Sequence, residues 1–249
     1  MLPVQALKSM RVMFATPCYI SAVTMNYVAS IFNLTCEAMR LGLPCILHLH
    51  SESLIPRGRN KIVLKFLAEE EFTHLFWIDS DIAFDASSVI RLLLADRDIA
   101  CGVYPMKSEV WPPQGLPAGM TREQYEIRYT DYPFNPIGHG DERVSSYVDP
   151  EGFVEVAEAP TGFMVVKRHV FTELMKRYPH LNHTPDGPPT IRRPICTGAS
   201  STAWSIPIPA ATCRKTSPSA GYGVTWAAKC GLISIAGLVT SASTCSTAI

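Results

Sequence analysis

Two acids one residue apart, Asp79 and Asp81, follow the apolar run His74 to Ile78 (HLFWI). In an extended segment residues i and i+2 point the same way, so the two carboxylates would present hard oxygen ligands together. Such oxygens suit Mg2+ or Mn2+, above all where substrate phosphates complete the shell. An Asp-x-Asp string alone is common in surface turns. Here the strand before it should be buried, which sets the acids at a sheet edge or crevice. Three other polar groups stand beside expected strands: Thr16-Pro17-Cys18-Tyr19, Tyr104-Pro105-Met106-Lys107 and Ala159-Pro160-Thr161-Gly162. In a parallel α/β sheet ligands bind where loops converge at the carboxyl ends of the strands, so the four clusters point to one site.

The elements that must position them alternate. Met10 to Ala15 is a β-favouring run ended by Thr16-Pro17-Cys18. Ser21 to Leu41 carries apolar residues at helical spacing (Val23, Tyr27, Ile31, Leu34, Met39), and Gly42 stops it. Strands are expected at Cys45 to His50, His74 to Ile78 and Ile99 to Tyr104, with helices at Arg59 to Glu71 and Ser87 to Leu94. This order predicts an α/β domain with a mostly parallel, Rossmann-like sheet and flanking helices. From Lys107 to Gly152 the pattern loosens into a long loop, and loops of that length tend to be functional. Order returns with strands at Phe153 to Ala157 and Gly162 to Lys167 and a helix at His169 to Tyr178.

Composition narrows the class. At 249 residues, 47% hydrophobic and 18% charged, the chain is long and apolar enough for a globular core. Basic and acidic residues both number 22, so no global field favours nucleic acid as a partner. The balance hides a split: residues 1–186 carry a net −5 and the remainder +5. No stretch approaches the roughly 20 apolar residues of a transmembrane helix, and no signal-peptide pattern is seen. Eight cysteines without CxxC spacing read as reduced thiols of a cytoplasmic protein, with Cys18, Cys36, Cys45 and Cys101 packing as small hydrophobes. His139 and His183 each lack a second His at metal spacing and read as surface residues. Trp77 reads as core. Trp111 and Tyr125 would stack on a sugar or cover the sheet edge.

The Asp-x-Asp string also occurs in phosphatases of the haloacid dehalogenase type. That chemistry needs a Thr where Ala83 stands, and an N-terminal strand rather than a middle one. A wider set of residues points elsewhere. Ile55-Pro56-Arg57-Gly58-Arg59-Asn60, FLAEEEFTHLFWIDSDIAF (66–84), GVYPMK (102–107) and PTGFMVVKR (160–168) together resemble bacterial and phage glycosyltransferases of the GT-A fold, related to glycosyltransferase family two. The resemblance spans about residues 10–180. It implies a nucleotide-diphosphate sugar donor bound at the first strand end, with Thr16, Pro17 and Tyr19 around the nucleoside. Asp79 would face the ribose or donor, and Asp81 a Mn2+ or Mg2+ ion, so the metal set is Asp79 and Asp81. Arg59 and Asn60 would position the diphosphate or brace the Asp-x-Asp loop; a salt bridge at the helix start is the other reading. Lys107 would touch donor or acceptor, or stand solvated in its loop. Thr161 and Gly162 would line the side of a saccharide or other hydroxyl acceptor, or make a tight turn. A nucleotidyltransferase would want a Gly-rich loop after the first strand, and Thr16 to Ala22 contains no Gly.

The resemblance also implies a later Ser-Glu-Asp segment supplying the base, and a His completing the metal shell. Neither is present: no Asp or Glu follows Asp186 and no His follows His183, so no catalytic residue is assigned. Of residues 196–249, 17 are Ser or Thr and 10 are Ala, half the segment. Permitted codons for Ala199 through Ile249, displaced by two nucleotides, spell an acidic stretch containing Leu-Ser-Glu-Asp and then His-Val-Gly. The expectation is a glycosyltransferase-like domain over 1–190, with 107–152 as its irregular acceptor region. Residues 191–249 would be an out-of-frame or poorly ordered tail, leaving activity impaired and a non-catalytic sugar-nucleotide or glycan-binding remnant as the alternative.

Overall fold

The structure, a computed structural model, describes residues 1–107, 112–129, 131–133, 135–136, 148–179, 182–183, 203–204 and 232–234. A 3₁₀ helix, Val4–Ser9, leads into β1 (Val12–Cys18), α1 (Met25–Leu41), β2 (Cys45–Ser51), α2 (Ile55–Ala68) and β3 (His74–Ile78). Then come α3 (Ala86–Leu94), β4 (Ile99–Gly102), α4 (Arg122–Tyr129), β5 (Asn135–Pro136), β6 (Phe153–Glu158), β7 (Phe163–Lys167) and α5 (Arg168–Arg177). Short strands β8 (Asn182–His183), β9 (Ala203–Trp204) and β10 (Leu232–Ser234) complete the described elements.

The fold is α/β, and its eight-stranded sheet has the order β2-β1-β3-β7-β4-β10-β6-β5. The expectation of a mostly parallel sheet is corrected to a mixed one. β1 pairs in parallel with β2 and β3, but β7 lies between β3 and β4 and is antiparallel to both. The reason is connectivity. β1 to β4 are joined through α1, α2 and α3, each a crossover that returns the chain to the same end. β7 instead follows β6 after four residues, with no helix between them to act as a crossover. β10 runs antiparallel to β4 and parallel to β6; most of the 191–249 segment to which it belongs lies outside the described residues.

Period-two alternation fills both faces. In β3, Phe76 and Ile78 join one core with Leu7, Phe14, Tyr27, Leu34, Leu92 and Phe163, while Leu75 and Trp77 join another with Ile62, Phe66, Met164 and Phe171. Trp77 is therefore core, as its sequence setting implies. Three local expectations change. β1 continues through Pro17: its pairing to β3 stops at Ala15, and the edge-like remainder tolerates a residue without an N–H. α1 starts at Met25 rather than Ser21, because Tyr19 to Ala22 form a turn and Thr24 caps the helix by accepting from the Tyr27 amide at 3.3 Å. The irregular region holds the eight-residue α4. Of the four named cysteines Cys18 and Cys101 are buried, whereas Cys36 is exposed.

At its far end α2 leaves carbonyls without helical partners. Arg168, the first residue of α5, meets them: its guanidinium donates to the carbonyls of Phe66 and Glu69, both at 2.6 Å, and also to those of Phe72 and Leu67. No helix among the described residues is long and apolar enough to cross a membrane.

Candidate functional site

The ends of β1, β2, β3 and β4 and the start of β7 meet at one edge of the sheet. Asp79 is the first residue beyond β3. Its amide donates to the Gly162 carbonyl at 2.8 Å, which ties it to the turn before β7. The Thr24 amide donates to the Ser80 carbonyl at 2.9 Å, which joins the loop after β1 to the same segment. Asp79 and Asp81 are thus close to the first strand's end and open to solvent, their side chains 34% and 38% exposed. One premise is corrected. Asp79 to Ile82 is a turn, closed by the Ile82 amide on the Asp79 carbonyl at 3.2 Å, rather than an extended segment. The two carboxylates accordingly meet different cations.

Asp79 turns inward. Arg59, on the first half of α2, donates from Nη2 to its Oδ1 at 2.6 Å and from Nη1 to the Thr161 carbonyl at 3.2 Å. The guanidinium also lies over the Trp77 ring, 4.9 Å from its centroid. It is almost wholly buried, and its planar fork suits two acceptors held at a fixed angle. This is the salt-bridge reading of Arg59. The helix begins at Ile55, with Pro56 in its first turn, rather than at Arg59. That earlier start carries Arg59 beneath the turn instead of out toward solvent. Burial pushes the Asp79 carboxyl above its ordinary range and Asp81 adds to that, while Arg59 and Lys107 oppose it.

Asp81 turns outward and pairs with the ammonium of Lys107, which is 81% exposed. Behind them stands Tyr104, just past β4. Its hydroxyl accepts from the Gly162 amide at 3.2 Å, and burial, with the Asp79 charge second, raises its pKa to about 12. Arg59, Asp79, Tyr104, Thr161 and Gly162 form one connected polar cluster drawn from α2, β3, β4 and β7. Asn60 sits beside Arg59 in α2, half-buried. At the β1 end Thr16 is fully buried, and its hydroxyl shares a 2.6 Å hydrogen bond with Tyr27. Pro17 is buried as well, and Tyr19 is exposed at the mouth.

Glu52 and Asp131 were not singled out from sequence. Glu52 follows β2, its amide on the Cys18 carbonyl at 3.1 Å, and hydrogen bonds from Arg57 and Lys61 hold its carboxyl well below the usual range. The spacing Glu52, Arg57, Lys61 was a readable signal. Asp131 is brought to the mouth by the Met106 amide, which donates to its carbonyl at 2.8 Å; nothing in its loop sequence marks it. Tyr125 lies in α4 with its ring 5.5 Å from that of Tyr129. Trp111 and His139 lie outside the described residues.

Among the described residues no group of three or more His, Cys, Asp or Glu side chains could hold a metal ion. The donor chemistry of Asp79 and Asp81 fits a different kind of site, in which Mg2+ or Mn2+ takes one or two carboxylates and leaves its other positions to water and phosphate.

No family model and no curated protein matches the chain. Among solved structures it is similar to A197 from STIV, at a TM-score of 0.38 and 17% identity, over 66% of this chain and 68% of that one. The class that fold and site define is an α/β protein whose mixed sheet gathers a charged cluster at one edge.

Proposed function

We propose that the chain is a metal-dependent glycosyltransferase of the GT-A type, moving a sugar from a nucleotide-diphosphate donor to a saccharide or other hydroxyl acceptor. The observation that carries this reading is the pair Asp79 and Asp81, open at a sheet edge beside the end of β1. Asp81, with Asp79, would hold Mn2+ or Mg2+; when bound, that ion neutralises charge on the departing diphosphate as a Lewis acid. Arg59 fixes Asp79 from below, so its task is positioning rather than contact with phosphate. Tyr19, exposed at the β1 end, is available to a nucleoside, whereas Thr16 is fully buried with its hydroxyl on Tyr27 and acts only from behind the surface. Gly162, with no side chain, lets Tyr104 and Asp79 close on the turn before β7, so its task too is to position Asp79 beside the acceptor.

A second reading, a sugar-nucleotide or glycan-binding protein without turnover, is favoured by the charges at the mouth. Each carboxylate at the strand ends, Glu52, Asp79 and Asp81, is already held by a cation. An acceptor hydroxyl needs a base within hydrogen-bond reach, and none of these three carboxylates is without a cation of its own. Release of UDP or GDP from nucleotide sugars with Mn2+, in the wild type and in Asp81→Ala, tests the proposal. Mn2+-dependent release abolished by the substitution supports transfer. Nucleotide binding without release supports the second reading. Neither binding nor release overturns both.

A further inference from the structure

The two cations at the site are held in different ways. Arg59 is 9% exposed and pinned by Asp79, the Thr161 carbonyl and the Trp77 ring. Lys107 is 81% exposed on a flexible stem; its ammonium is hydrogen-bonded to Asp81, and its charge also reaches Asp79. A guanidinium so fixed has no second position available to it. An exposed ammonium is a compact point charge with three rotatable donors, and it exchanges partners readily.

Resting on the glycosyltransferase reading, we propose that Lys107 is an exchangeable counter-ion of the site. It neutralises Asp81 until a divalent cation takes that carboxylate, and it then turns to the diphosphate that arrives with the cation. The argument is one of charge. Asp81 has one outward-facing carboxylate, and a divalent ion and the ammonium compete for it. The displaced ammonium remains at the mouth, and the anion with the strongest claim on it there is the diphosphate. Metal and nucleotide binding are coupled through this one side chain, so each alone binds more weakly than both together.

The test is binding rather than turnover, with Mn2+ alone and then UDP or GDP at saturating Mn2+, on wild type, Lys107→Met and Lys107→Arg. Free Mn2+ is read by electron paramagnetic resonance and nucleotide affinity by calorimetry. Lys107→Met should bind Mn2+ alone about two- to fivefold more tightly, the competition from an exposed ion pair having been removed. It should bind the nucleotide diphosphate roughly fivefold or more weakly, and Lys107→Arg should restore most of that loss. Any other combination, including two unchanged affinities or two that weaken together, overturns the proposal. A wild type that binds neither Mn2+ nor nucleotide instead overturns the glycosyltransferase reading itself.

Discussion

A side chain on Gly162 would stand 2.4 Å from the Tyr104 hydroxyl oxygen and 2.6 Å from Oδ2 of Asp79. Those separations are shorter than any tolerated contact, so the missing Cβ is what lets the phenol, the carboxylate and the β7 turn close on one another. Gly162→Ala must push Asp79 or Tyr104 aside. The expected cost is about 1–3 kcal/mol of stability, the range for overpacking a filled site, together with loss of Mn2+-dependent nucleotide binding. Urea unfolding and calorimetry check both; a variant with unaltered binding would show that Asp79 need not hold its position.

Arg59→Lys keeps the charge and loses the fork. One ammonium cannot reproduce the angle between Asp79 Oδ1 and the Thr161 carbonyl, nor the contact over Trp77. We expect destabilisation of about 2 kcal/mol, discounted from the fully buried case because Asp79 is one-third exposed. Thermal unfolding is the check, and Arg59→Lys at wild-type stability contradicts the positioning role.

His74 predicts a pH dependence. Burial first, and the Lys167 charge second, lower its pKa from 6.5 to about 4. Between those values the unfolded chain binds the proton that the folded one refuses, so stability is complete above pH 6.5 and falls as pH drops toward 4. In His74→Gln this component disappears. Denaturant titrations at pH 7 and pH 5 should differ less for the variant than for the wild type, and equal differences would refute the assignment.

Ile20 and Ser21 are the central residues of the Tyr19 to Ala22 turn and have φ of 49° and 58°. Such turns favour Gly, Asn or Asp, and a β-branched residue there is strained. Its side chain is three-quarters exposed, so little packing is lost with it. Ile20→Gly should therefore raise stability by about 1 kcal/mol after allowing for the flexibility glycine adds to the unfolded chain. A lower melting temperature would show that the exposed side chain contributes more than its strain removes.

The nucleotide sequence over codons 185–249 tests the compositional break. We expect the frame displaced by two nucleotides to encode the acidic Ser-Glu-Asp stretch and then His-Val-Gly. A frame that encodes neither leaves residues 196–249 as a genuine Ser, Thr and Ala-rich segment.

Much of the positioning framework was legible because it is local. The run His74 to Ile78 is β3 to the residue, since four consecutive apolar residues between His74 and Asp79 leave few alternatives. The convergence at the sheet edge followed from polar groups placed directly at strand ends. Strand direction was harder: nothing inside Phe163 to Lys167 says whether it runs with β3 or against it, because the connection decides. The Asp79 to Ile82 turn was hidden for a similar reason. It depends on the Gly162 carbonyl, some eighty positions away in the chain, holding the Asp79 amide. Helix α4 was missed because, with one Ile among eight residues, Arg122 to Tyr129 has little apolar periodicity to read.

Arg168 gives α2 a property that neither end has alone. The helix is 14 residues long, about 20 Å at 1.5 Å per residue. One extremity is moored to Arg168 of α5 through the Phe66, Leu67 and Glu69 carbonyls, and near the other Arg59 grips Asp79. Such a strut resists both sliding and rolling. Loss of the Arg168 side chain is therefore expected to loosen the seat of Arg59 as well, and to weaken the hold on Asp79 from a position far from the acidic pair.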